Sequence, residues 1–410
     1  MKKLMKRVVP AALALSLTAA PVMAYADDFI PGPGQRYDDA TLETLKDNVL
    51  EYDEIEMLVD EYNATLKNLR ETYSDTRDSY KDAVKLKSQI HSSAGAISEA
   101  ASEMSSMASM FKDSLGYQSM LTPGAYAEML YASEMMNVQS EQVLLQADTV
   151  TVVTPEMLKL RMIDGTRAML ISGAQSAVIG YEQLLLGKET LTETIELLKE
   201  VYKSTEAQAS LGMTTGTAVL TARQNLESAE ASMIDLDAKE VQIRSSLCKM
   251  LGWEYNASPE IRKAPDADLS RIDRMNPEND KQTAIANNFT LRYNQLNLEA
   301  LTDGSVDREN MERTIREQTA EISASLVNLY NDVIQKRNEY QTSVAAFELE
   351  KTKMEAAERK LAVGSIGRLE YLQQENAYKT KEIAVRTAEL NLFQAMETYD
   401  WALKGNLSLS

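Results

Sequence analysis

Two stretches decide how this chain folds: Leu211-Gly212-Met213-Thr214-Thr215-Gly216-Thr217-Ala218-Val219-Leu220 and Val363-Gly364-Ser365-Ile366-Gly367-Arg368-Leu369-Glu370-Tyr371-Leu372. Each is a glycine-containing break between two long runs of helical periodicity. Gly212 corresponds to Gly364, Leu220 to Leu372 and Leu251 to Leu403, a constant offset of 152 residues. Before the first break, Ile163, Leu170, Ala174, Ala177, Tyr181, Leu184, Leu191, Ile195, Leu198 and Tyr202 recur at steps of 3, 4 or 7. After it come Leu226, Ala229, Met233, Leu236, Ile243, Leu247 and Met250, with Glu240 in a seam position. Before the second break, Ile315, Ile322, Leu326, Leu329, Val333, Tyr340, Val344, Phe347, Met354 and Leu361 mark one helix face; Ala377, Ala384, Ala388, Ala395 and Ala402 follow it. A duplicated pattern of this kind predicts two long antiparallel helical hairpins packed through heptad seams. The fold class expected is all-α, with little or no β-strand. At about 1.5 Å per residue the longest helices would span roughly 80 Å, a length suited to a strut, spacer or tube.

Composition points the same way. Among 410 residues aromatics make up 6%, with 16 Gly and 9 Pro, which favours long helices over one thick core. The net charge of −19 sets the chain against phosphate backbones, so no nucleic acid is expected as a partner. The acids read as solvated helix faces.

At the N-terminus, Lys2, Lys3, Lys6 and Arg7 precede an apolar run, and Ala24-Tyr25-Ala26 forms a small-x-small cleavage site. Residues 1–26 therefore read as a secretory signal. Removing it takes away four of 43 basic residues and none of the 62 acidic ones, moving the charge from −19 to −23. No later run offers 18 consecutive apolar residues, so no helical membrane anchor is expected. Residues 27–38, with Pro31-Gly32-Pro33-Gly34, read as a flexible leader. A first helical repeat is expected over 39–257, with an insertion at about 88–155, then a linker over 258–279, a second repeat over 280–405 and a tail over 406–410. The insertion carries seven methionines between Met104 and Met136, read chiefly as helical core and otherwise as an adaptable apolar surface. Gly165, Gly173, Gly180 and Gly187 form a stripe that suggests close approach by a neighbouring helix.

The paired tips, the Ala- and Leu-rich helices after them, their closing Leu251-Gly252-Trp253 and Leu403-Lys404-Gly405, and the leading helices with Asp47-Asn48 and Asn287-Asn288 together resemble the TolC-like outer-membrane efflux family over most of the chain. The resemblance implies a homo-oligomer, a trimer forming a tapering helical tube. The tips would dock a periplasmic adaptor protein bound to an ABC or proton-driven pump, and substrates would pass outward without chemistry. By position, Leu211, Gly212, Met213, Gly216, Val363, Gly364, Ser365 and Gly367 would be the adaptor-facing tips. Glu370 would contribute an acidic constriction; it is equally a first-turn acid complementing its helix dipole. A tight connection alone also favours the tip glycines.

One departure stands out. The family places two strands per repeat between the short and long helices. A barrel strand needs about 9–11 alternating residues. Thr302 to Val306 leaves no room for one, and the first-half insertion looks helical. A barrel-less relative is expected, in an outer membrane and periplasm or on the cell-wall side of an organism without that membrane.

With one His (His91) and one Cys (Cys248), neither a His-based metal set, nor a catalytic triad, nor a disulfide within the chain can be assembled. There is no phosphate-binding glycine loop. No catalytic residue, metal or cofactor is expected, and the chain reads as no enzyme. The alternative function is a structural coiled-coil spacer or adhesin, for which paired tips would have no use.

Overall fold

The computed structural model describes residues 36–45, 47–78, 83–115, 124–145, 155–254, 257–301, 303–407 and 409. The expected signal and most of the leader lie outside them. Thirteen helices are described: α1 (Asp39–Thr44), α2 (Ile55–Tyr62), α3 (Ala64–Asp78), α4 (Ala83–Leu115), α5 (Gly124–Leu145), α6 (Pro155–Lys159), α7 (Gly165–Ser210), α8 (Gly216–Leu251), α9 (Ser270–Arg274), α10 (Pro277–Asn287), α11 (Phe289–Ala300), α12 (Val306–Ala362) and α13 (Arg368–Leu403). The fold is all-α. Among the described residues the strands are the two-residue β1 (Val49–Leu50) and β2 (Glu260–Ile261), which pair in parallel.

The 57 residues of α12 give it a length of about 85 Å. Its ends are chemically finished. The Ser305 hydroxyl accepts from the Arg308 amide, Asp307 and Glu309 fill the first turn, and Arg359 and Lys360 the last. Donors and dipole are thus matched at both ends. α7 and α8 form one antiparallel hairpin, α12 and α13 the other, and α7 packs on α13. Side by side the long helices run α8, α7, α13, α12. Cross-seam pairs set the register of the middle two: Glu193 with Lys379, Gln183 with Asn391, Ser176 with Gln394, Ser172 with Asn406. Numbers fall on one side as they rise on the other, so the helices are antiparallel. Extending that register brings Gly212 level with Gly364.

The opposite end is a base. The insertion forms a second kind of hairpin, α4 against α5, laid on α7. Met104, Met107, Met110, Met129 and Met136 are buried there, so these methionines fill core. A side chain at Gly173 would collide with Met104, which accounts for one glycine of the α7 stripe by close approach of α4. At the seam position Glu240, Lys188 (2.5 Å), Tyr181 (3.0 Å) and Arg244 (3.2 Å) satisfy the carboxylate. Burial pushes that carboxyl up, but these partners outweigh it and hold it below the usual range.

Three local features interrupt the helical repeats expected over 39–257 and 280–405. Val49 lies on an extended segment rather than a helix: Asn48 takes a φ of 64°, and Asn48 and Leu50 carbonyls accept from Glu260 and Arg262. The leading helix of the second repeat is broken at Asn288, whose φ of −61° and ψ of 127° end α10 and cap α11. The helix begun by Pro155 passes through one π-helical turn, Leu160–Asp164, before α7. That turn carries Arg161, wholly buried, with its guanidinium 4.8 Å from the centre of the Tyr293 ring.

The duplication extends beyond the tips. Asn63 has the backbone of Asn288, with φ −64° and ψ 119°. In both, the side-chain oxygen accepts the amide three residues on, from Leu66 or Leu291. The side-chain nitrogen donates to a carbonyl at the end of a long hairpin, Met250 or Leu407. The true counterpart of Asn288 is therefore Asn63, not the Asp47-Asn48 pair. Their spacing of 225 exceeds the hairpin offset of 152 by 73 residues, which measures the insertion. Asn63→Ala and Asn288→Ala should each destabilise the chain by about 2 kcal/mol, from a lost cap and a stranded buried acceptor. Matched losses in denaturant melts are expected; a loss at one site alone would contradict equivalence.

Candidate functional site

Both tips are built alike. Gly212 has φ 72° and Gly364 φ 70°, left-handed values that glycine adopts without strain. The amide after each glycine closes back on the carbonyl five residues earlier: Met213 on Gln208 (2.8 Å) and Ser365 on Lys360 (2.9 Å). This satisfies the last carbonyls of α7 and α12. Two residues further on the chain enters the next helix. Thr215 caps α8 through its hydroxyl, accepting from Ala218, whereas Gly367 takes the same extended backbone ahead of α13 with no side chain to cap it. Gly216 is thus the first residue of α8, and Ser365 also turns its hydroxyl onto the Lys360 carbonyl.

The apolar residues of the tips face solvent. Leu211 is 74% exposed, Met213 72% and Val363 79%. Large apolar side chains held outward at two level turns form a surface with no partner inside the protomer. Behind the second tip, Lys353 and Gln374 hydrogen-bond Glu350 and hold its carboxyl below the usual range, tying α12 to α13. Glu370 is exposed in the first turn of α13, next to Arg368, which lies over the Tyr371 ring.

A second feature escaped the periodicity reading. On α8, Leu220, Ile234 and Val241 are exposed, and Ile234 and Val241 with the exposed Ala231 and Ala238 follow steps of 3 and 4. On α12, Leu349 is exposed as well. The outer edges of the four-helix layer thus carry apolar residues that the inner seams do not use. The buried seams hid this second stripe, because one helix carries both.

No group of three or more His, Cys, Asp or Glu suited to a metal exists among the described residues. Cys248 is buried, and burial pushes its thiol up, a direction that suppresses nucleophilicity. Carboxyl groups withdrawn from solvent do occur, with Asp60 buried and Asp164 and Glu128 half-buried. Asp60 lies among three arginines, and burial raises Asp164 and Glu128 to about 7. Sequence reading found none of these, since nothing in the local pattern marks an acid as buried. Among the described residues no helix is long and apolar enough to cross a membrane.

The fold is thus a pair of duplicated, long antiparallel helical hairpins whose turns lie level. The solved structures it resembles include outer-membrane channels and an outer-membrane protein. CmeC of Campylobacter jejuni aligns over 94% of this chain and 91% of its own, at 11% identity and a TM-score of 0.42. VceC of Vibrio cholerae aligns over 86% and 96%, at 11% and 0.45. MtrE of Neisseria gonorrhoeae aligns over 69% and 71%, at 13% and 0.35. No family model and no curated protein matches the chain. At identities this low the likenesses assign no role to any residue.

Proposed function

We propose that this protein is the TolC-like component of an export machine of the cell envelope, a homo-oligomeric helical conduit whose tips dock an adaptor joined to a membrane pump. The observation that carries the reading is the pair of level turns of like backbone presenting Leu211, Met213 and Val363 to solvent. A spacer would have no use for matched apolar tips. The apolar edges support self-association: α8 of one copy, through Ile234 and Val241, would pack on α12 of the next, through Leu349, and three copies would close the ring. Heptad spacing on α8 suits such helix–helix packing. Glu370, one turn past the second tip, would then face its own copies and form an acidic constriction. The machine would stand in the outer membrane and periplasm, or on the wall side where that membrane is lacking.

Leu211→Ser combined with Val363→Ser should abolish export while changing stability by less than about 0.5 kcal/mol, as exposed sites do. Photo-crosslinkers placed at Met213 in growing cells should capture an elongated helical-hairpin adaptor, and the double variant should lose that product. Full export by the double variant, or capture of nothing but other copies of this chain, would remove the docking role. Native mass should be that of a trimer; a monomer at micromolar concentration would remove the conduit.

A further inference from the structure

Between α5, α7, α13 and the C-terminal segment lies a cavity of about 280 Å³, near the lower end of the range for small-molecule sites. Met135, Met169, Phe289 and Trp401 give it apolar walls. Two acceptors on those walls have no cationic partner. The Gln394 side chain is 6% exposed; its nitrogen donates to the Ser176 hydroxyl (3.2 Å), and its oxygen finds no hydrogen-bond partner. Glu128, on α5, is withdrawn from water, which raises it to about 7; the charge bearing on it is Asp332, also negative, while the Thr398 hydroxyl hydrogen-bonds it. Thr398 lies one turn along α13 from Gln394, so the two acceptors share one end of the cavity.

The basic groups nearby are committed elsewhere. Glu397, also on the wall, is taken by Arg271 (2.7 Å). Lys404 lies over the Trp401 ring (4.6 Å) and is not among the lining residues. A buried acceptor without a donor loses its hydration without return, and a buried carboxyl without a cation is driven to take up a proton. Both deficits would be met by one positively charged donor. An apolar chamber with two convergent acceptors is the complement of a molecule apolar at one end and cationic at the other.

We propose that this cavity binds a small amphipathic amine, its apolar body against Met135, Met169, Phe289 and Trp401 and its ammonium group shared by Glu128 and Gln394. The site is separate from the tips and from the apolar edges of α8 and α12, and it owes nothing to the export reading.

Trp401 reports on the cavity directly. Phenethylamine, phenylethanol and phenylacetate share one apolar body and differ in charge; each is titrated against the full chain while tryptophan fluorescence is followed. The amine should bind tightest and the acid weakest. Glu128→Gln, which keeps shape and removes charge, should weaken the amine about tenfold or more, the size of a lost charge-assisted hydrogen bond. It should leave the alcohol unchanged, which also shows that the cavity is intact. Trp401→Phe should abolish the signal. Equal binding of all three compounds, binding of none, or an equal loss for amine and alcohol in Glu128→Gln would overturn the proposal.

Discussion

Gly405→Ala is expected to destabilise the chain by about 3 kcal/mol or more, about twice the effect of Gly364→Ala. Both glycines have positive φ, 100° and 70°, so both substitutions meet the left-handed penalty of roughly 1–2 kcal/mol. Space separates them. Nothing lies within 4 Å of a side chain added at Gly364, whereas at Gly405 it would run into the Asn287 carbonyl and the Phe289 ring. Backbone cannot swing aside as a long side chain can, and overpacking of this kind adds roughly 1–3 kcal/mol. The same contrast should hold between Gly252, which faces the Tyr62 backbone, and the open Gly212. Thermal melts of the four single variants check this: Gly405→Ala and Gly252→Ala should melt lowest, with Gly212→Ala and Gly364→Ala between them and wild type. Four equal shifts would mean that the conformational term alone matters and that the hairpin ends do not lock onto the Asn63 and Asn288 corners.

Those corners mark where the sequence was readable and where it was not. Long helices announce themselves through period, and the tips through glycines at a fixed offset; both signals are local. Gly405 and Gly212 look alike in sequence because each follows a helix, yet one sits on backbone from a segment more than a hundred residues away. The equivalence of Asn63 and Asn288 was hidden for the same reason. A helical insertion shifts the offset between them, and each asparagine declares itself only through the distant carbonyl it reaches. Val49 falls inside the expected first helical repeat, yet it directly follows a left-handed asparagine and belongs to a strand whose partner lies in the expected linker. Of the candidate site, the tip turns could be read from glycine alone. Their outward apolar side chains and the second stripe on α8 could not, since exposure depends on which face the neighbouring helices leave uncovered.

The same non-locality governs the base, where Asp60→Ala is expected to remove about 3–5 kcal/mol, the usual result of stripping one partner from a buried ionic cluster. Asp60 is 3% exposed. Arg167 binds it through two nitrogens (2.7 and 2.6 Å), Arg70 through one (2.7 Å), and Arg36 closes the set at 3.0 Å. One carboxylate thereby joins the segment before α1, α2, α3 and α7. Without it Arg70 and Arg167 face each other, with Arg167 keeping Glu56 (2.5 Å). Burial pushes the Asp60 carboxyl up, but Arg167, Arg36 and Arg70 outweigh it and hold it below its ordinary 3.8. A depressed carboxyl contributes stability that is complete above the unfolded value and is lost as pH falls through the folded one. Asp60→Asn, which keeps shape without charge, should therefore melt below wild type by a constant margin from about pH 8 to about pH 5, and the margin should close below about pH 4 as wild-type Asp60 takes up its proton. Because the cluster is shielded from solvent, added salt should narrow the neutral-pH margin little. A margin that persists unchanged to about pH 2 would show that the arginines gather around Asp60 for packing and not for its charge.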